Sequence, residues 1–236
     1  MISQEKFDQL NFNGNDEIRV RVWHRQAIYD TFKMFRNSDR VICRHYEYFK
    51  MLLDAYRHFI DDDHEIILEN ADDYFAHPVD FKQVAKKYDK KFSRERKIDP
   101  FLSLKAPPKK NKWITTSVIE RKHWPSNDNP ELETKGFHFP DGELFESFLS
   151  NQPNFYNLGD SRTFENSDEL IEKMQIARDS RIYIGSCCAW SNWTSENGVP
   201  TYIMFNALTG SEHHQETMVK DILPNLRHGY TKAIVR

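Results

Sequence analysis

Apolar and polar positions change period repeatedly along the chain. Ile18-Arg19-Val20-Arg21-Val22-Trp23 alternates charged and β-branched residues, which predicts a half-buried strand. Ala27 to Phe35 then carries Ile28, Phe32 and Phe35 at spacings of four and three, one apolar stripe of a helix. Arg40-Val41-Ile42-Cys43 predicts a second strand, Tyr46 to Phe59 a second helix, and Glu65-Ile66-Ile67-Leu68 a third strand. Strands separated by helices pair in parallel, because a parallel neighbour needs a crossover. The same rhythm returns after residue 112. Strands are expected at Trp113–Ile119, Asn154–Leu158, Arg181–Gly185 and Thr201–Phe205. Helices are expected at Asp141–Leu149, from an N-cap at Ser167 with Leu170, Ile171, Met174 and Ala177 on one face, and at Met218–Leu226. The pattern is that of an α/β protein with parallel sheets.

Composition sets bounds on this picture. At 236 residues the chain makes one large domain or two small ones, and 39% apolar with 14% aromatic residues is enough to build a core. The stiff, polar run Pro107-Pro108-Lys109-Lys110-Asn111-Lys112 is the best boundary, giving an N-terminal lobe over 1–103, a linker over 104–112 and a C-terminal lobe over 113–236. Lysine and arginine total 33 against 36 acids, which excludes a uniformly basic nucleic-acid coat. The exception is local: Lys82 to Lys97 holds eight basic residues against Asp89 and Glu95, either a solvated face or a patch that meets phosphates of nucleic acid. No apolar run approaches the roughly 18 residues of a membrane span. The first residues lack a basic segment followed by an apolar one, and the three cysteines (Cys43, Cys187, Cys188) make no disulfide framework. A cytoplasmic protein without a membrane span is the expectation.

Two segments of the second half carry candidate chemistry. In the first, the strand ending at Gly185 runs into Ser186-Cys187-Cys188-Ala189, then a short helix through Trp190, Ser191 and Asn192, and a stop at Gly198-Val199-Pro200. Small residues at the carboxyl end of a parallel strand let a ligand approach the backbone, and a helix N-terminus there suits a phosphate. Many α/β proteins contain such a unit with no ligand. In the second, Arg121, Lys122 and His123 follow another strand end, three cations suited to a phosphate-bearing ligand or to an ordinary basic loop.

Together the two segments resemble the family 9 glycosyltransferases, the heptosyltransferase-like enzymes of the GT-B fold. Lys122-His123-Trp124-Pro125 is similar to their Lys-x-Trp-Pro segment. The stretch from Leu170 through Ile184-Gly185 to Gly198-Val199-Pro200 resembles their second hallmark, a helix, a strand, a short turn, a Ser-His helix start and Gly-x-Pro. The likeness spans roughly residues 112–206. Cys187-Cys188-Ala189 stands where the family has Asp-Thr-Gly, Ser191 falls on its serine, and Asn192 replaces its histidine. The resemblance implies two Rossmann-like lobes with parallel sheets, the N-terminal one reduced. It also implies transfer of a sugar from a nucleotide-diphosphate donor to a hydroxyl of a glycan or other acceptor, without a metal or further cofactor. Donor binding would fall to Arg121, Lys122, Gly185, Ser186, Cys188, Ala189, Ser191 and Asn192. The family's base lies in the loop after the first strand, which here begins Trp23-His24-Arg25-Gln26, so His24 is the candidate base and Asp30 the second choice.

Other readings compete. A nucleotide-binding protein that has lost catalysis would use the same lobe, and the basic stretch 82–97 would suit sugar transfer to modified DNA. Asp61-Asp62-Asp63-His64 offers hard oxygen ligands of the kind that metal-dependent glycosyltransferases gather in an Asp-x-Asp motif. His213-His214 lacks a third ligand at a readable spacing, and Asn192-Trp193-Thr194 fits a glycosylation sequon. Trp190 and Trp193 suit either a core or stacking on a base or sugar.

Overall fold

A computed structural model describes residues 19–23, 28–84, 102, 104–117, 151–160, 163–185, 188–206 and 231–235. The chain divides into two compact units, one of residues 1–26 and 30–106, the other of 27–29 and 107–236.

The first unit is built on a three-stranded sheet, β1 (Arg19–Val22), β2 (Arg40–Cys43) and β3 (Ile67–Asn70), parallel throughout with β2 in the middle. The connections are helices α1 (Ile28–Arg36) and α2 (Tyr46–Phe59). Each buries the stripe that its sequence spacing marks out: Phe32 and Phe35 from α1, and Phe49, Leu52, Tyr56 and Phe59 from α2. Tyr56 packs against Phe32 and Phe35 with ring centroids 5.4 and 5.7 Å away, in the T-shaped geometry that aromatic quadrupoles favour. The expected bounds of β2 and α2 hold. The third strand begins two residues later than expected, because the Ile67 N–H is the one that reaches the Asp39 carbonyl (2.8 Å). Residues 78–84, at the start of the basic stretch, are helical, and Phe81 and Val84 close a small core with Ile42, Ala71 and Phe75. The remainder of that stretch lies outside the described residues.

The second unit holds five parallel strands: β4 (Ile114–Thr116), β5 (Phe155–Asn157), β6 (Ile182–Gly185), β7 (Thr201–Asn206) and β8 (Thr231–Val235), in the order β5-β4-β6-β7-β8. Helix α3 (Ser167–Asp179) precedes β6, and α4 (Ala189–Glu196) lies between β6 and β7. The N-cap of α3 is Asn166 rather than Ser167. Its side chain accepts the Glu169 N–H (2.9 Å), and Glu169 returns a carboxylate oxygen to the Glu165 N–H (2.8 Å). Gly198 ends α4 at a φ of 77°, a left-handed turn that glycine adopts without strain. Both units are thus α/β with parallel sheets, as the alternating pattern requires. The helices expected at 141–149 and 218–226 lie outside the described residues, and β8 was not read from the sequence. No described helix is long and apolar enough to cross a membrane.

Candidate functional site

The strand order singles out one place. β4 is flanked by β5 on one side and β6 on the other, so the connection from β4 leads one way along the sheet and those from β6 onward lead the other. At the carboxyl ends of such a pair the connections diverge, and open α/β sheets take their ligands there.

Three side chains meet at these ends. Ser117 follows β4, Tyr183 belongs to β6, and Cys188 is the N-cap of α4. The Ser117 hydroxyl lies 2.7 Å from the Tyr183 hydroxyl and 3.1 Å from the Cys188 sulfur, and the Tyr183 hydroxyl is 3.3 Å from that sulfur. Each group is both donor and acceptor, so the three close a ring in which every proton has an acceptor. Ser117 and Tyr183 are fully buried and Cys188 is half-buried. Behind them, Thr115 and Thr116 stitch β4 to β6 by donating to the carbonyls of Ile182 and Ile184.

Gly185 ends β6, and a β-carbon there would lie 2.6 Å from the Tyr183 hydroxyl oxygen. The space is taken by a phenol from the same strand. Ser191 accepts the Cys188 N–H (2.9 Å) and donates to the Cys188 carbonyl (2.7 Å), so its hydroxyl is engaged within the first turn of α4. Ala189 opens that helix, half-buried. Asn192, also buried, accepts the Tyr29 N–H (3.1 Å); Tyr29 groups with the second unit. A buried amide committed in this way is no glycosylation acceptor. Trp190 and Trp193 are core residues, fully buried, with their indole N–H groups donated to the carbonyls of Gly159 (3.0 Å) and Met174 (2.9 Å).

Of the expected donor-binding residues, the structure brings Gly185, Cys188, Ala189, Ser191 and Asn192 to one strand–turn–helix unit. Arg121, Lys122 and Ser186 lie outside the described residues, as do His24, Cys187 and His213-His214. Asp30 stands in the first turn of α1, 3.8 Å from Lys33; burial raises its pKa while the lysine opposes the rise. Ser117 and Tyr183 were missed as site residues. Tyr183 sits two positions before Gly185, hence on the same face of the strand, which was the available signal.

The acidic triplet forms no ion site. Asp62, its middle member, turns inward to accept the Tyr56 hydroxyl and the His64 ring, while Asp61 and Asp63 are exposed. Among the described residues, no three His, Cys, Asp or Glu side chains are grouped to hold a metal.

No family model matches the chain, and no curated protein sequence does. Solved structures with a distant likeness include two of the same protein. One is the iron-containing dodecameric glycosyltransferase TibC of enterotoxigenic E. coli, 12% identical with a TM-score of 0.36. The other is the dodecameric iron-containing heptosyltransferase TibC in complex with ADP-D-beta-D-heptose, 13% identical with a TM-score of 0.35. Each match covers 80% of this chain and 58% of the solved one, so the chain spans under two thirds of their length. Neither likeness assigns an activity.

Proposed function

We propose that the second unit binds the diphosphate end of a nucleotide sugar and that the chain transfers the sugar to an acceptor hydroxyl. The observation that carries this reading is the strand order, which sets the carboxyl end of β6 beside that of β4, where open α/β sheets take ligands. The N-terminus of α4, the helix that follows β6, offers backbone N–H groups and a partial positive charge, suited to an anionic leaving group. In this reading Lys122, with Arg121, neutralises the diphosphate as the glycosidic bond breaks. His24, or else Asp30, takes the acceptor proton. The α4 N-terminus and the Lys122 and Arg121 side chains supply the compensating positive charge in this reading, so transfer is expected to proceed with a chelator present.

A panel of nucleotide sugars offered to the full chain tests this. Binding and transfer are expected from at least one donor. Lys122→Ala is expected to weaken donor binding tenfold or more, and His24→Ala to abolish turnover while donor binding persists. Binding without turnover in the unaltered chain would favour the binding protein over the enzyme. Failure of every nucleotide and nucleotide sugar to bind at millimolar concentration would overturn the proposal.

A further inference from the structure

His64 lies between α2 and β3, at the amino-terminal rim of the first unit's sheet. Its ring Nδ1 is 2.7 Å from Asp62 Oδ2, and its Nε2 is 3.1 Å from the carbonyl oxygen of Ser38, which sits in the turn leading into β2. A carbonyl oxygen only accepts. The Asp62 carboxylate also accepts from the Tyr56 hydroxyl and from the His64 backbone N–H (3.3 Å). A neutral imidazole has a single N–H and would turn its lone pair toward one of these oxygens. Two N–H groups satisfy both.

From this geometry we infer that His64 is a protonated clasp, tying the loop 61–66 to the turn before β2 and letting go when it loses its proton. The groups that face it agree. Asp62 of its own loop and Asp39 of the turn supply negative charge, and the Ser38 carbonyl supplies an oriented dipole. Tyr56 reaches the ring from α2 through Asp62, and the positive charge of Arg36 at the end of α1 acts on Tyr56. Burial works against the imidazolium, but the Asp62 and Ser38 bonds and the two carboxylates outweigh it and raise the His64 pKa. Burial likewise works against the Asp62 carboxylate, and Tyr56 and His64 outweigh it to lower that pKa.

The signs follow by linkage. A raised histidine contributes stability below its unfolded value and loses it as pH climbs through the folded one. A lowered carboxylate contributes above its unfolded value and loses it as pH falls through the folded one. The clasp is therefore closed between the lowered pKa of Asp62 and the raised pKa of His64, and opens as pH climbs through the latter, above the ordinary 6.5. Opening frees the segment between the end of α2, which bridges to Leu104, and the start of β3.

NMR titration of the His64 ring in the full chain, with amide hydrogen exchange at His64 and Ile67, tests the inference. The ring is expected to titrate above 6.5, its ordinary value. Across that transition protection of the two amides should fall at least tenfold, after correction for the intrinsic exchange rate. His64→Gln should make protection low and independent of pH, and Asp62→Asn should move the ring's midpoint downward. A midpoint at or below 6.5 in the unaltered chain would overturn the clasp, as would protection that stays constant while the ring titrates. Neither of those readings depends on a variant folding.

Discussion

A β-carbon built on Gly185 would lie 2.6 Å from Tyr183 Oη and 2.9 Å from Cζ, inside any real contact. The phenol cannot simply swing aside, because it is buried and its hydroxyl bonds both Ser117 and Cys188. Gly185→Ala is therefore expected to cost about 1–3 kcal/mol, the usual penalty for overpacking a filled site. Urea denaturation of the variant beside Gly185→Ala/Tyr183→Phe reads the coupling. If the clash runs through the hydroxyl network, the double variant falls short of the sum of the singles, and strict additivity would refute the account. Sequence alone marks position 185 as a close approach without saying of what. That it is a side chain of the same strand depends on a rotamer, and rotamers leave no trace in spacing. The two described thiols sit in different environments. Cys43, at the end of β2, has its thiol pKa pushed up to about 12 by burial, whereas Cys188 is half-buried at a helix start.

Helix α4 shows how far an element can be read in advance. The glycine stop at 198 and the small residues before 189 delimit it, and the structure keeps both ends. Its interior reads as polar, Ser191-Asn192-Trp193-Thr194-Ser195-Glu196, yet every one of these residues is buried. Their partners are distant in sequence or local to the helix: Thr194 bonds the Trp190 carbonyl and the Thr201 hydroxyl, and Asn192 meets a residue 163 positions away. No period in the sequence announces such pairings. Asn192→Ala removes a buried acceptor from the Tyr29 N–H, one of the first-turn donors that α1 cannot satisfy internally. About 1–3 kcal/mol of stability should be lost, measurable by chemical denaturation, and a change within error would show that the contact contributes nothing. The cap of α3 was legible: Asn166 and Glu169 stand three apart, the capping-box spacing, where Ser167 has only Leu170.

At the scale of the molecule, alternation of period was enough to give parallel sheets, because helical crossovers between strands leave no other pairing. It was not enough to give strand order. The central place of β4, which creates the candidate site, follows from which strands bond to which, and 3-residue strands such as Ile114–Thr116 and Phe155–Asn157 carry too few residues to encode a neighbour. Each unit nevertheless has its own sheet and its own buried residues, and a nucleotide held at the β4–β6 ends would contact residues of the second. A ligand that binds one folded unit stabilises that unit by mass action, about 2.7 kcal/mol at a hundredfold excess over its Kd. Urea unfolding of the full chain should then show two transitions, read separately by the buried indoles Trp190 and Trp193 and by hydrogen exchange in α2. Adding the nucleoside diphosphate that binds best should move the indole transition to higher urea and leave the α2 transition where it was. Equal movement of both would mean that the units unfold as one, and movement of the α2 transition alone would put the nucleotide in the first unit and remove the β4–β6 site.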